Sequence, residues 1–286
     1  MATIAGTAQR GEPIRGPSAI GGDLRRAVTL TAVIARHDFK LRFFGSVLGY
    51  LWQLMRPLLL FGVLYVMFTV IVDVSDGPYS GVALLLGIVL FTFFSEATGG
   101  AVTCVLDREN LVRKIHFPRM VIPLAVVTTA SFNLALNLVV VFVFATITGL
   151  TPHWGWLALL PLLALLVVFA AGLAMLLSAL YVRYRDVDPI WDVVLQVLFY
   201  GSLILIPYET VVDQGYGDIG GALLANPLAA IVQEARHVGI DPAYVGVDQA
   251  LGGAAWLPVP LAIVAATFAL GLWVFNREAP RIAEDL

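Results

Sequence analysis

Charge is what this sequence has least of. Only 13% of its 286 residues are Asp, Glu, Lys or Arg, against 59% hydrophobic. An average soluble domain carries about 25% charged residues. Half the usual charge cannot cover a water-facing surface, so an ordinary soluble domain is excluded, and the apolar excess excludes intrinsic disorder. Cysteine is almost absent: Cys104 stands alone, so no internal disulfide and no cysteine-based zinc or iron–sulfur site can form. Four histidines, at 37, 116, 153 and 237, lie far apart with no ligand spacing. Lysine is nearly missing too, with Lys40 and Lys114 against fifteen arginines. No GxxxxGK[ST] phosphate loop, HExxH pair or Ser/His/Asp set is present, so the chain reads as a non-enzyme without an ATP site of its own.

What is present is apolar length. A bilayer core about 30 Å thick needs about 20 apolar residues in a helix. Six stretches approach this, at 48–72, 82–106, 120–148, 157–181, 190–206 and 254–275, the fifth being short and ending at Pro207. The expected fold is therefore all-α, a polytopic membrane protein with six transmembrane helices. No secretory leader is expected at the start, where residues 1–23 read as a disordered tail, with a second tail at 281–286. Sixteen of the seventeen basic residues fall on connections of one side; the exception is Arg236. The positive-inside rule places that side, with both termini, in the cytoplasm. The net charge of −3 is thus an average over a basic face and an acidic one, the latter holding Asp73, Asp76, Glu209, Asp213, Asp218, Glu234, Asp241 and Asp248.

Three connections carry more than connectivity. Residues 24–44 place Leu30, Ile34, Leu41 and Phe44 on one helical face, with Val33 beside it. Arg25, Arg26, Arg36, Lys40 and Arg42 supply cationic heads, the pattern of an interfacial amphipathic helix. Residues 106–119 form a short charged segment in which Leu111, Val112 and Ile115 make an apolar stripe that could dock in a partner's groove. A solvated turn with topogenic charges fits the same pattern. Residues 207–253 are too long for a simple loop. Their apolar run at 223–235, broken at Asn226-Pro227, reads as re-entrant half-helices at a pore mouth or gate, a plain external loop being the alternative.

Polar groups inside the spans are few. Glu96 sits mid-way along the second, where a charged carboxylate costs about 2.5–3.5 kcal/mol on insertion scales and demands protein, water or a proton. Asn133 and Asn137 share a face and read as interhelical hydrogen-bonding groups. Gln196, Ser202, Trp191 and Tyr200 could line a wet path, and Ala170, Ala174 and Ser178 form a small-residue packing stripe. Asp186 and Asp188 beside Arg183 and Arg185 read as a salt-bridged loop.

Four strings together are similar to those of a known family. KLRFFGSVLGYLWQLMRP at 40–57 resembles the entry of membrane subunits of type-2 ABC exporters, with Ser46, Leu48, Gly49, Trp52 and Pro57 in its Ser-x-Leu-Gly-x-x-Trp pattern. RENLVRKIHFPRMVIPL at 108–124 resembles the family's cytoplasmic coupling segment. RYRDVDPI at 183–190 resembles its Arg-Tyr-Arg-Asp turn, and Asn226-Pro227-Leu228 with Arg236 its outer Asn-Pro-Leu element. The resemblance covers about 25–280, nearly the whole chain, and is nearest to Wzm-like polysaccharide exporters, which include O-antigen, teichoic-acid and galactan transporters. The arginine-rich composition points to the actinobacterial or mycobacterial galactan branch.

The resemblance implies one transmembrane domain over 24–280 in a homodimer. Two copies of a nucleotide-binding subunit, carrying ATP and Mg, would complete it. Arg108, Glu109, Leu111, Val112, Arg113, Lys114 and Ile115 would couple to that ATPase, with Arg183, Arg185 and Asp186 as a smaller contact. Arg36, Lys40 and Arg42 are head-group candidates for a polyprenyl-diphosphate-linked glycan, or for anionic membrane lipid. Tyr65, Phe91, Phe93, Phe94, Glu96, Gln196 and Tyr200 are conduit candidates, since sugar rings stack on aromatic faces. Asn226, Pro227, Leu228 and Arg236 would form the outer gate. Nucleic acid is not among the expected partners, and no cofactor is expected on this chain. A drug or lipid exporter, a membrane-embedded glycosyltransferase or polymerase, and a passive channel or scaffold remain as other classes.

Overall fold

The computed structural model describes residues 24–43, 49–72, 79–109, 118–253 and 256–278. Among these every regular element is helical. In chain order they are α1 (Leu24–Phe43), α2 (Gly49–Tyr65, continued by a π-helical turn Val66–Ile71), α3 (Ser80–Val102) and α4 (Cys104–Asp107). There follow α5 (Val121–Ile147), α6 (Gly155–Arg183), α7 (Val187–Gly201), α8 (Tyr208–Asp213), α9 (Gly217–Leu223), α10 (Pro227–Gly239), α11 (Val247–Ala250) and α12 (Pro258–Glu278). The tails at 1–23 and 281–286 lie outside the described residues, as do 110–117, the heart of the expected coupling segment.

Among the described residues five helices are long and apolar enough to cross a membrane: α2, α3, α5, α6 and α12. The sixth expected span, at 190–206, is only half realised. Helix α7 stops at Gly201, and 15 residues rise about 22 Å, short of a bilayer core. Beyond it Ser202–Ile206 is irregular, with Leu203 in the left-handed region at φ +55°. A branched side chain rarely takes that conformation unless its surroundings hold it there.

Helix α3 is the hub. It packs against α2, α5, α6, α7 and α10, and 72% of its apolar stretch is buried, against 17% for α2. Its Phe93 and Phe94 fill the core, Phe94 stacking on Phe169 of α6 at 5.4 Å. Helices α6 and α12 approach most closely at Gly172 and Gly271: a Cβ on Gly271 would lie 2.1 Å from the Gly172 carbonyl oxygen. The small residues Ala170, Ala174 and Ser178 are all fully buried, as their spacing predicts.

Tryptophans mark both ends of the bundle. Trp154 and Trp256 stand exposed where α6 and α12 begin, Trp273 near the other end of α12, and Trp52 near the start of α2. From 256 to 273 the chain rises about 25 Å at helical pitch, the separation expected of two interfacial aromatic belts.

Helix α1 lies against α5 with Ala35, Asp38 and Phe39 inward; the Phe39 ring meets Phe132 edge-on at 5.5 Å. The stripe expected to lie on the membrane surface is not the face that meets α5. Leu30 and Ile34 are half-buried, but Leu41 and Val33 point outward, and Phe44 lies outside the described residues. Periodicity finds an apolar stripe; it does not tell whether protein or lipid covers it.

Candidate functional site

The 207–253 connection folds into the four helices α8–α11, and its chemistry converges on the broken end of α7. Asn226 caps α10 as its residue type and Pro227 predict: its Oδ1 accepts from the Leu228 N–H at 3.1 Å, with Pro227 at the first helical position. The same side chain donates from Nδ2 to the Ser202 hydroxyl at 3.1 Å. One helical stretch later Arg236, 1% exposed, donates from Nη1 to the Leu203 carbonyl and from Nη2 to the Ile204 carbonyl, both at 2.7 Å. These are carbonyls that an unwound segment leaves without helical partners. Room for the guanidinium comes from Gly87 of α3, where a Cβ would lie 3.5 Å from Nη2 and 3.2 Å from Ile204. Below the clamp Glu209 of α8 accepts from Gln233 Nε2 at 2.9 Å and from the Val245 N–H at 2.5 Å. The Tyr208 hydroxyl donates to the Ala250 carbonyl at 3.0 Å, so α8, α10 and α11 are one unit.

A second polar centre lies at the other end of α3. Glu96 accepts from Gln53 Nε2 of α2 at 2.5 Å and from Asn133 Nδ2 of α5 at 2.9 Å. Both amides are buried, so the mid-span carboxylate is held by protein. Asn137 instead bonds the Asn133 backbone oxygen at 3.0 Å. A polar cavity of about 220 Å³ runs from Glu96 past Thr129 and Asp107 to an ion pair between Arg108 and Asp38. That pair fastens the surface helix α1 to the residue where the expected coupling segment begins. Just ahead of α5, Arg119 is almost wholly buried, and burial pushes its guanidinium below the ordinary arginine range.

Residues 29–233 match the family model described as ABC-2 type transporter, which is well over half of the chain. The chain belongs to the ABC-2 type transporter family. Similarity to named relatives is more distant and extends further. It is 29% identical over 202 residues to the O-antigen export system permease protein RfbA of Myxococcus xanthus, covering 70% of this chain and 75% of that one. Two proteins of the same name from Klebsiella pneumoniae are 27% and 26% identical over 262 residues, covering 90% of this chain and 95% of theirs. An ABC-2 family chain with several apolar helices is a multi-pass integral membrane protein.

In this ABC-2 family chain Asn226 caps α10 and Pro227, Leu228 and Arg236 lie on it, and Asn226 and Arg236 both bond the 202–204 segment. Of the residues expected to couple to an ATPase, Arg108 and Glu109 are described, whereas Leu111, Val112, Arg113, Lys114 and Ile115 lie outside the described residues. The salt-bridged loop at 183–188 is corrected. Arg183 sits over the Tyr184 ring at 5.4 Å and Arg185 over Tyr181 at 5.2 Å, while Asp186 is exposed at the head of α7. Flat guanidinium groups stack on aromatic faces where carboxylates are well hydrated. Arg36 and Lys40 are exposed one turn apart on α1; the Arg42 side chain lies outside the described set.

The conduit candidates divide. Phe93 and Phe94 are sealed in the core, and Phe91 packs edge-on to Phe199 at 4.9 Å, so the packing claims these rings. Tyr65 leans on Phe61 at 5.4 Å. Glu96 is half-buried, bonded by its two amides, and lines the polar cavity. Gln196 and Tyr200 remain open on α7, Tyr200 at 72% exposure. Of their expected companions, Trp191 is buried and donates to Thr98 Oγ1 at 3.1 Å, and Ser202 is buried against Asn226. Sequence reasoning missed Gly87, Gln53, Asp38 and Gln233 altogether. Gly87 and Gln53 carried a weak signal, a small residue and an amide inside apolar helices.

Proposed function

We propose that this chain is the membrane subunit of an ATP-driven exporter that moves a lipid-linked polysaccharide across the bacterial cytoplasmic membrane. The observation that carries the reading is the similarity to O-antigen export permeases along 90% of the chain and 95% of theirs. Both termini face the cytoplasm in this reading, following the basic connections. Two copies assemble through the lightly covered helices α2 and α7, which both pack on α3 and leave Leu59, Val63, Val197 and Tyr200 exposed. The conduit runs between the copies, with Gln196 and Tyr200 offering a polar edge and an aromatic face to sugar rings. Residues 108–116 dock into a separate nucleotide-binding subunit that holds ATP and Mg, and residues 183–188 make a smaller contact. Arg36, Lys40 and Arg42 meet the diphosphate of the carrier lipid at the inner leaflet. ATP binding shifts the coupling segment, and the Arg108–Asp38 pair passes that shift to α1. At the outer end α8–α11 close the path between cycles. Galactan is the glycan that the arginine-rich composition favours; O-antigen and teichoic-acid-like chains use the same machinery.

Charge reversal at Arg113 and Lys114 tests the coupling. Assembly with the ATPase and glycan export should both fall while the chain still inserts. Unchanged assembly and export at normal topology would remove the coupling role. ATPase activity stimulated by drugs or free lipids, and not by glycan carriers, would move the chain to the drug and lipid exporters.

A further inference from the structure

Helices α6 and α12 touch at Gly172 and Gly271 and border an opening nearer the end where both begin. Helix α10 wedges into the opening: a Cβ on its Gly239 would lie 2.9 Å from Leu159 of α6. The wedge does not fill it. A cleft of about 430 Å³ remains between the three helices and α11, walled by Leu165, Ile231 and Leu261 among other apolar side chains. That is within the size range of small-molecule pockets. Leu261 lines the cleft and is itself half exposed, as are Leu157 and Leu160 on the neighbouring surface of α6. Both flanking helices are long enough to cross the bilayer, so the mouth opens onto hydrocarbon and the occupant comes from the membrane.

Three polar groups interrupt the apolar lining: Glu234, His237 and Asp248. Glu234 uses Oε2 to accept from the Val247 N–H at 3.0 Å, which fixes the carboxylate at the cleft wall with its second oxygen uncommitted. His237 Nδ1 faces the Tyr244 carbonyl at 2.6 Å, so Nδ1 is the donor and Nε2 is left for another partner. Two carboxylates at one end of an apolar slot complement an ammonium and repel a bare phosphate or diphosphate. We propose that this cleft binds an aminophospholipid of the phosphatidylethanolamine class. One acyl chain lies along Leu165, Ile231 and Leu261, and the ammonium sits between Glu234 and Asp248, with His237 Nε2 as a further acceptor for its N–H groups. The lipid then packs the joint between the α6–α12 pair and the α10 half-helix. The site is separate from the proposed conduit and does not depend on which glycan is carried.

The test uses the full-length chain in vesicles of equal parts phosphatidylethanolamine and phosphatidylglycerol, each spin-labelled in turn near the acyl terminus. The motionally restricted fraction of labelled phosphatidylethanolamine should exceed that of phosphatidylglycerol by about two- to fivefold, the factor a partly screened charge pair supplies. E234Q/D248N should bring the two lipids level; the amide at 234 still accepts from Val247. L261W, which fills the slot without changing charge, should also remove the excess. An unchanged restricted fraction of phosphatidylglycerol verifies that each variant still folds in the bilayer. Equal restriction in the wild type overturns the proposal, and so does an excess that survives either variant.

Discussion

Arg236 and Arg108 sit toward opposite ends of α3 and are used in opposite ways. Arg236 is wholly enclosed, and its fork holds two backbone carbonyls of an unwound strand; the charge is spent on shape. Arg108 is about a quarter exposed, beside the 220 Å³ polar cavity, and holds a carboxylate on a different helix. A buried fork released from its carbonyls leaves three polar groups without water, whereas a half-wet ion pair can open at small cost. The end with Arg236 is held in one geometry by buried bonds, and the end with Arg108 is held by a pair that costs less to open.

The comparison breaks most visibly at Arg236. Arg236→Met should destabilise the protein by about 3–5 kcal/mol, because the Leu203 and Ile204 carbonyls lose their donors in a dry site. Denaturant unfolding in detergent measures this, and Arg236→Lys should recover only part of the loss, since an ammonium does not reproduce the fork. Next comes Glu96→Leu, which strands the Gln53 and Asn133 amides together and should cost about 1–3 kcal/mol in the same assay. Glu96→Gln keeps an acceptor and should cost less. Gly87→Ala brings a methyl to 3.2 Å from Ile204 and 3.5 Å from Arg236, and a shift of a few tenths of an ångström should cost about 1 kcal/mol. Smallest in stability is Asp38→Asn, at about 0.2–1 kcal/mol for a partly exposed pair. If the pair transmits motion, export should nevertheless fall, and exchanging the partners in D38R/R108D should restore it. A stability loss at Asp38 as large as that at Arg236 would erase the contrast.

Much of the fold is legible in the sequence because bilayer length is a one-dimensional constraint. Five apolar runs become helices of spanning length, and the sixth is a shorter helix continued by an irregular segment, as its shortness and Pro207 forewarn. The Asn226-Pro227 cap is legible for the same reason: its chemistry is local. Arg236 stands out as the one cation on the acidic side, and the fold accounts for it as a buried clamp. Its partners are not legible, since Leu203 and Ile204 lie more than thirty residues away and offer only backbone. Glu96 shows the same limit, its amides coming from α2 and α5, 43 and 37 residues distant. On α1, the stripe that meets α5 includes Ala35 and Asp38, which no hydrophobicity pattern selects. Arg183 and Arg185 choose tyrosine rings over adjacent aspartates because hydrated carboxylates gain little from one more surface partner.

Transport itself is the most direct test of the central claim. Inside-out vesicles carrying this chain and its nucleotide-binding subunit would be loaded with a polyprenyl-diphosphate-linked glycan and then treated with an external glycosidase. The account predicts that ATP makes the glycan resistant as it enters the lumen, and that omitting ATP or either chain leaves it fully digested. Glycan that stays digestible while ATP is hydrolysed, or that becomes protected without nucleotide, would contradict it.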